Sequence, residues 1–199
     1  IKYATAGTKK KFYSVWHSKH NKEEYEEIKE KLKEIIKDRK IDEIDITLYS
    51  LFEKERFLDI LEYFIIFDGN EKKVARYNQY FAIKKTIQRI SDIKDGKRDG
   101  GVIWHTQGSG KSLTMSMLTK IISRKINGAK VIVVTDRIDL DEQINKTFQR
   151  VSISVSKANS GKHLINLIKN NKSVITTVIN KFEKAFEEKI KIDSPDIFV

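Results

Sequence analysis

Apolar residues fall at two different spacings along this chain, and the change comes near residue 100. In the front half Tyr25, Ile28, Leu32, Ile35 and Ile36 recur three or four apart, with glutamates and lysines between them. That spacing predicts a surface helix with one buried stripe. Asn21 is placed to cap it, and the acidic first turn "KEEYEE" suits the positive end of the helix dipole. "LYSLFEKERFLDILEYFIIFD", 48–68, predicts a second helix, ended by the turn residues "DGN", 68–70. A third is predicted over 72–90, with Tyr77, Phe81, Ile87 and Ile90 on one face. "KKKFYSVWHSKHN", 9–21, has no helical period and reads as a strand end and loop.

Beyond residue 100, short apolar runs alternate with helical patterns. "GGVIWH", 100–105, has the character of a buried parallel strand. The helix after it carries Leu113, Met117, Leu118, Ile121 and Ile122. "AKVIVVTDR", 129–137, predicts a strand, and "IDLDEQINKTFQR" a helix with Leu140, Ile144 and Phe148 on one face. A strand over 151–155, a helix over 162–170 and a strand running into a turn over 173–183 follow, and "DIFV" starts another strand. The order predicts an α/β fold: an open, mainly parallel sheet with helices on both faces, after a mostly helical segment.

Composition narrows the class. The 199 residues are 39% hydrophobic and 34% charged, which describes a globular chain with a heavily charged surface. With no cysteine, disulfides are excluded and a zinc–thiolate site is disfavoured. The longest apolar run, "YFIIF", falls far short of the roughly 18–20 residues of a membrane span, and no signal peptide precedes it. A cytoplasmic protein is expected. The chain starts at Ile1 and stops within a strand pattern, so both ends read as cuts in a longer protein. The net charge of +11 lies entirely in residues 76–199, where 23 basic side chains face 12 acidic ones; residues 1–75 hold 16 of each. A basic half suits a polyanion such as DNA. Lysine-rich solvent faces with no partner are the alternative.

"WHTQGSGKS", 104–112, carries the most specific chemistry. A strand, a glycine-rich loop and a helix form the setting a phosphate-binding loop requires. Gly108 and Gly110 let backbone N–H groups turn inward toward an anion, and the helix N-terminus adds partial positive charge. Lys111 supplies a full charge for the outer phosphates, and Ser112 a hydroxyl ligand for Mg²⁺. The candidate nucleotide-binding residues are thus Thr106, Gln107, Gly108, Ser109, Gly110, Lys111 and Ser112, with Lys111 also catalytic. The general pattern G-x-x-x-x-G-K-[ST] opens on glycine or alanine; here His105 stands at that position. Upstream, Gln79 sits near the start of a predicted helix. Its amide can pair with N6 and N7 of adenine; an exposed polar residue on an amphipathic helix is the alternative.

"VARYNQYFA", "GGVIWHTQGSGKSLTM", "VIVVTDRIDLDEQ" and "VITTVINKFE", in this order, resemble motor motifs of the restriction (R) subunit of type I restriction-modification enzymes, a family of superfamily 2 helicase-like translocases. "KYATAGT" and "FYSVW" resemble its segment between nuclease core and motor. The resemblance implies a RecA-like P-loop motor using ATP and Mg²⁺. It also implies double-stranded DNA and the modification (M) and specificity (S) subunits as partners, and DNA cleavage by the whole protein. It divides the chain into the end of a nuclease domain or linker (1–20), a helical connecting segment (21–71) and an incomplete first motor domain (72–199). Gln79 would recognise adenine, and Arg137, Thr176 and Thr177 would lie on the side that tracks DNA. The family's acidic Asp-Glu motif is expected after Val199, its nuclease residues before Ile1, and its arginine finger in a second motor domain. This piece alone would then hold nucleotide without turning it over. Another superfamily 2 translocase or helicase, for repair or remodelling, is the main alternative. A small-molecule P-loop kinase explains the loop but neither Gln79 nor "TTVINKF".

Overall fold

Short-range signals decide where the front half breaks. A computed structural model describes residues 2–17, 22–187 and 194–199; Asn21 and its expected cap lie outside the described residues. Two compact units result, Ile1–Ile66 with Lys72–Phe81, and Phe67–Glu71 with Ala82–Val199.

In the first unit β1 (Lys2–Tyr3) pairs antiparallel with β2 (Ser14–Val15). Helix α1 (Lys22–Ile35) forms from the predicted stripe. Ile28 and Leu32 are buried with Ile46, and Tyr25 and Ile36 pack beside them, whereas Ile35 is exposed. The stretch 48–68 is not one helix. It divides into the end of α2 (Glu43–Phe52), α3 (Lys54–Tyr63) and β3 (Ile65–Asp68), which pairs with β4 (Glu71–Val74). Glu53 makes the first break. Its backbone turns extended at ψ 131°, and its carboxylate caps α3 by accepting from the N–H groups of Glu55 and Arg56. β-branched and aromatic "IIF" then favours a strand once "DGN" offers a hairpin turn. Trp16 is buried in this unit. Its indole N–H donates to Ser50 Oγ at 3.1 Å, and its ring meets Tyr3, Tyr80 and Phe81. The Arg56 guanidinium lies against the Trp16, Tyr80 and Phe81 rings and ion-pairs with Glu24. Burial pushes the Tyr80 hydroxyl up to about 12.

Helix α4 (Tyr77–Ser91) gives its first residues to the first unit and the remainder to the second. A hairpin of β5 (Ile93–Lys94) and β6 (Lys97–Arg98) follows, with Asp95 and Gly96 both at positive φ, as a tight two-residue turn requires. Arg98 fixes it, donating to the carbonyls of Ile90 and Ser91 at the end of α4 and to Asp196. After α5 (Lys111–Lys125), the chain alternates β7 (Lys130–Thr135), α6 (Ile138–Arg150), β8 (Ser156–Lys157), α7 (Gly161–Lys169), β9 (Val174–Val178), α8 (Ile179–Glu187) and β10 (Ile197–Phe198). The sheet runs β10-β7-β9-β8, and its pairings are parallel. Side chains alternate between its faces. Ile132 and Ile175 pack with α7 and α8 residues Leu164, Ile165, Leu167, Ile168 and Ala185. Val131 and Val133 pack on the opposite face with Ile122 of α5 and Ile90 of α4. The predicted mainly parallel α/β architecture is present.

Two predicted strands are not. Residues 101–105 form no strand, and Val102 and Trp104 are each 90% exposed. A buried strand needs a hydrogen-bonded neighbour, and among the described residues none pairs with this run. At 151–155, Ser152 takes a left-handed φ of 59° and interrupts the extended backbone, so β8 begins only at Ser156. Val151 and Ile153 are buried all the same, as loop anchors. Val178 runs directly into α8, where a turn was expected.

Gly161 opens α7, and a Cβ built on it would stand 2.9 Å from the Ala185 backbone nitrogen and 3.0 Å from the Lys184 carbonyl carbon. Alanine gains roughly 0.5–1 kcal/mol by restricting the unfolded chain. Forcing apart two helix backbones costs more, about 1–3 kcal/mol. Gly161→Ala should therefore lower the melting temperature by several degrees. An unchanged or raised value would show that α7 and α8 separate freely.

Candidate functional site

The chain turns at residues 107–109, closed by the Ser109 N–H donating to the Thr106 carbonyl at 3.3 Å. Gly108 and Gly110 hold φ of 74° and 85°, values that side-chain-bearing residues rarely adopt. Gly110 is the N-cap of α5, no side chain caps that helix, and its first turn has no acidic residue. The backbone N–H groups of that turn point out of the N-terminus together with the positive end of the dipole. Lys111 arches back over the loop, its Nζ donating to the carbonyls of His105 and Thr106 at 3.0 Å each. Thr106, Gln107, Gly108 and Lys111 are exposed, Ser112 is half-buried, and Ser109 is buried. An uncapped helix start, two left-handed glycines and a lysine make a donor set that fits an anion of phosphate character. Thr106 through Ser112 are all brought together here.

Gln79 belongs to the first unit and is 4% exposed, so it is not a surface residue. Its Oε1 accepts from the Arg76 N–H at 2.9 Å. Gln79 is the third residue of α4, and this is the reach-back half of a capping box. The bond also fixes the amide's orientation, because only the oxygen can face an N–H.

The three residues assigned to the DNA side differ sharply. Arg137 is the N-cap residue of α6, with its side chain 63% exposed and Asp136 and Asp139 near 4 Å. Thr176 and Thr177 are 0% and 1% exposed. Thr176 is in register with Val133 and faces α5 and α6; Thr177 is in register with Val134 and faces α7 and α8. The two hydroxyls point to opposite sides of the sheet, beneath helices. Neither reaches a phosphate in this conformation.

Sequence reasoning passed over Asp141, Asn145 and Lys157. Asp141 is 1% exposed and meets Lys157 Nζ at 3.1 Å. Asn145 Nδ2 donates to Thr176 Oγ1 at 2.8 Å. The signal was present: positions 141 and 145 fall on the same helical stripe as Ile144 and Phe148, where polar residues need partners.

Residues 78–199 match the family model described as SWI2/SNF2 ATPase. A Methanocaldococcus jannaschii protein named "Putative type I restriction enzyme MjaIXP endonuclease subunit" is 37% identical over 147 residues, covering 70% of this chain and 14% of that protein. The HindI type I restriction enzyme endonuclease subunit of Haemophilus influenzae is 35% identical over 133 residues, covering 62% of this chain and 12% of that protein. The chain thus spans about one seventh of the length of these relatives. The loop, the sheet behind it and these matches agree: the chain belongs to the SWI2/SNF2 ATPase family and is similar within it to endonuclease subunits of type I restriction enzymes.

Proposed function

We propose that this chain is the nucleotide-binding part of an ATP-driven DNA translocase serving a type I restriction enzyme. The observation that carries the reading is the anion-fitting loop at the uncapped start of α5, with Lys111 across it, in a chain of an ATPase family. In this reading residues 72–199 are the first RecA-like motor domain, 21–71 a connecting segment and 1–20 the end of a nuclease domain or linker. The loop N–H groups and Lys111 hold the phosphates, and Ser112 offers its hydroxyl to Mg²⁺. Bound Mg²⁺ would neutralise charge on the phosphates. Arg137 meets the DNA backbone, and Thr176 and Thr177 contribute by holding β9 in place. The partners are duplex DNA and the modification and specificity subunits, in the cytoplasm. Steady-state phosphate release by the protein carrying this chain, assembled with those subunits, is the test. DNA-stimulated release supports the reading; no ATP hydrolysis with or without DNA sinks it.

Gln79 reads adenine in this proposal: the amide whose Oε1 accepts from the Arg76 N–H pairs with N6 and N7 of the base. Gln79→Glu keeps the cap, since glutamate serves equally at this helix position. It loses the donor to N7, a contact worth on the order of 1–3 kcal/mol. The expected result is a reduced ATP preference over GTP, measured well below the variant's melting temperature because a carboxylate at this buried position costs stability. Full ATP preference in Gln79→Glu would leave Gln79 a cap and nothing more.

A further inference from the structure

A buried carboxylate lies where α6 crosses β8 and β9. Asp141 has both carboxylate oxygens buried without a hydrogen bond, and Lys157 Nζ lies 3.1 Å away. Lys157 is in register with Thr176, so both side chains stand on the face that α6 covers. Asn145, one turn beyond Asp141, donates to Thr176 Oγ1 and to the Asp141 carbonyl, each at 2.8 Å. At the other end of the same turn, the Arg137 carbonyl accepts from the Asp141 N–H at 3.1 Å and from Thr135 Oγ1 at 3.2 Å.

We propose that Asp141, Lys157 and Asn145 are positioning residues for Arg137: they lock the rotation and height of α6 on the sheet, and so set DNA affinity without touching DNA. The proposal rests on the reading of Arg137 as a phosphate contact. Its physical ground is that a buried carboxylate paired with a half-exposed lysine is a poor way to gain stability, since desolvation of Asp141 offsets most of the attraction. An apolar residue at 141 would extend the Ile144 and Phe148 stripe and stabilise α6 at least as well. Apolar contacts have no direction, however, and would let the helix rotate or slide. A carboxylate held by one ammonium, and an amide held by one hydroxyl, admit a single register. Arg137 lies one turn from Asp141 on that helix, so the register fixed at 141 is the register presented at 137.

The sign of one substitution separates this from bulk electrostatics. Asp141→Asn raises the net charge by one, so a protein that binds DNA by charge alone should bind it more tightly. Positioning predicts several-fold weaker binding instead, with the salt slope reduced by about one phosphate, as for Arg137→Ala. In the double variant Arg137→Ala, Asp141→Asn, the second change should cost nothing further, because the residue it positions is gone. The measurement is anisotropy of the full-length protein with duplexes of unrelated sequence over a salt series, well below each variant's melting temperature. Asp141→Asn, Lys157→Met removes both charges together; it leaves no buried charge unpaired and serves if Asp141→Asn fails to fold. Equal or tighter binding by Asp141→Asn, or by the paired variant where Asp141→Asn does not fold, would overturn the proposal, as would losses that add to those of Arg137→Ala. No DNA binding by the unsubstituted protein would overturn the reading of Arg137 and this inference with it.

Discussion

Lys111→Ala should abolish ATP hydrolysis by the protein that carries this chain while leaving its melting temperature within about a degree. The side chain is exposed, and its Nζ donates to the loop carbonyls of His105 and Thr106. Surface changes of this kind usually fall within about 0.5 kcal/mol. Catalysis depends on it far more. In the proposed role Lys111 is a fixed positive charge where negative charge develops on the transferring phosphoryl group. Losing one such preorganised group typically costs roughly 10²–10³-fold in rate. Lys111→Arg should recover little, because a planar guanidinium does not reproduce a compact ammonium in so tight a turn. Phosphate release unchanged in Lys111→Ala would remove the loop from the chemistry altogether.

The loop was legible in the sequence because its requirements are local. Gly108 and Gly110 mark left-handed positions, and the apolar spacing of α5 fixes where the helix starts. The strands β7 and β9 were legible for the same reason, since six and five residues of mostly β-branched character fit little else. What failed depended on neighbours. "VIW" at 102–104 has strand composition, but pairing is a property of two segments, and no described strand pairs with it. The helix predicted over 48–68 hid its break at Glu53, a residue with good helical propensity that caps the next helix instead. Val151 and Ile153 gave a true signal of burial and a false one of strand, because alternation marks facing and not hydrogen bonding.

The candidate site divides along the same line. Residue identity was enough to place Gly108 and Gly110 at left-handed positions and Lys111 and Ser112 at the start of α5. It could not separate Arg137, at the exposed start of α6, from Thr176 and Thr177, which the sheet turns to opposite buried faces. Gln79 was weighed as a base reader or an exposed residue. It is buried and also caps α4, a role visible in its place as the third helical residue once the helix start is known.

DNA affinity should fall steeply with salt and be indifferent to sequence. The surplus of eleven positive charges lies in residues 76–199, and ion pairing does not dissipate it. Arg98 with Asp196 and Lys157 with Asp141 each remove one charge of either sign, and Arg150 alone pairs outside the stretch, with Asp68, so nearly the whole excess remains for solvent-facing lysines and arginines. A surface that neutralises phosphates releases condensed counterions, and the logarithm of the binding constant then falls with that of salt by about 0.9 per phosphate. Six or more contacts would cost roughly 10³-fold or more between about 50 and 200 mM salt. Charge without hydrogen bonds to base edges cannot select sequence, so unrelated duplexes should give the same line. The shape of that line discriminates between the two meanings of the basic half. A salt-steep, sequence-blind affinity is what a translocase needs, since it must release and regain the backbone at every step. Affinity that is absent at low salt, or flat across the series, would mean that the lysines serve solubility and that the DNA path runs elsewhere in the protein.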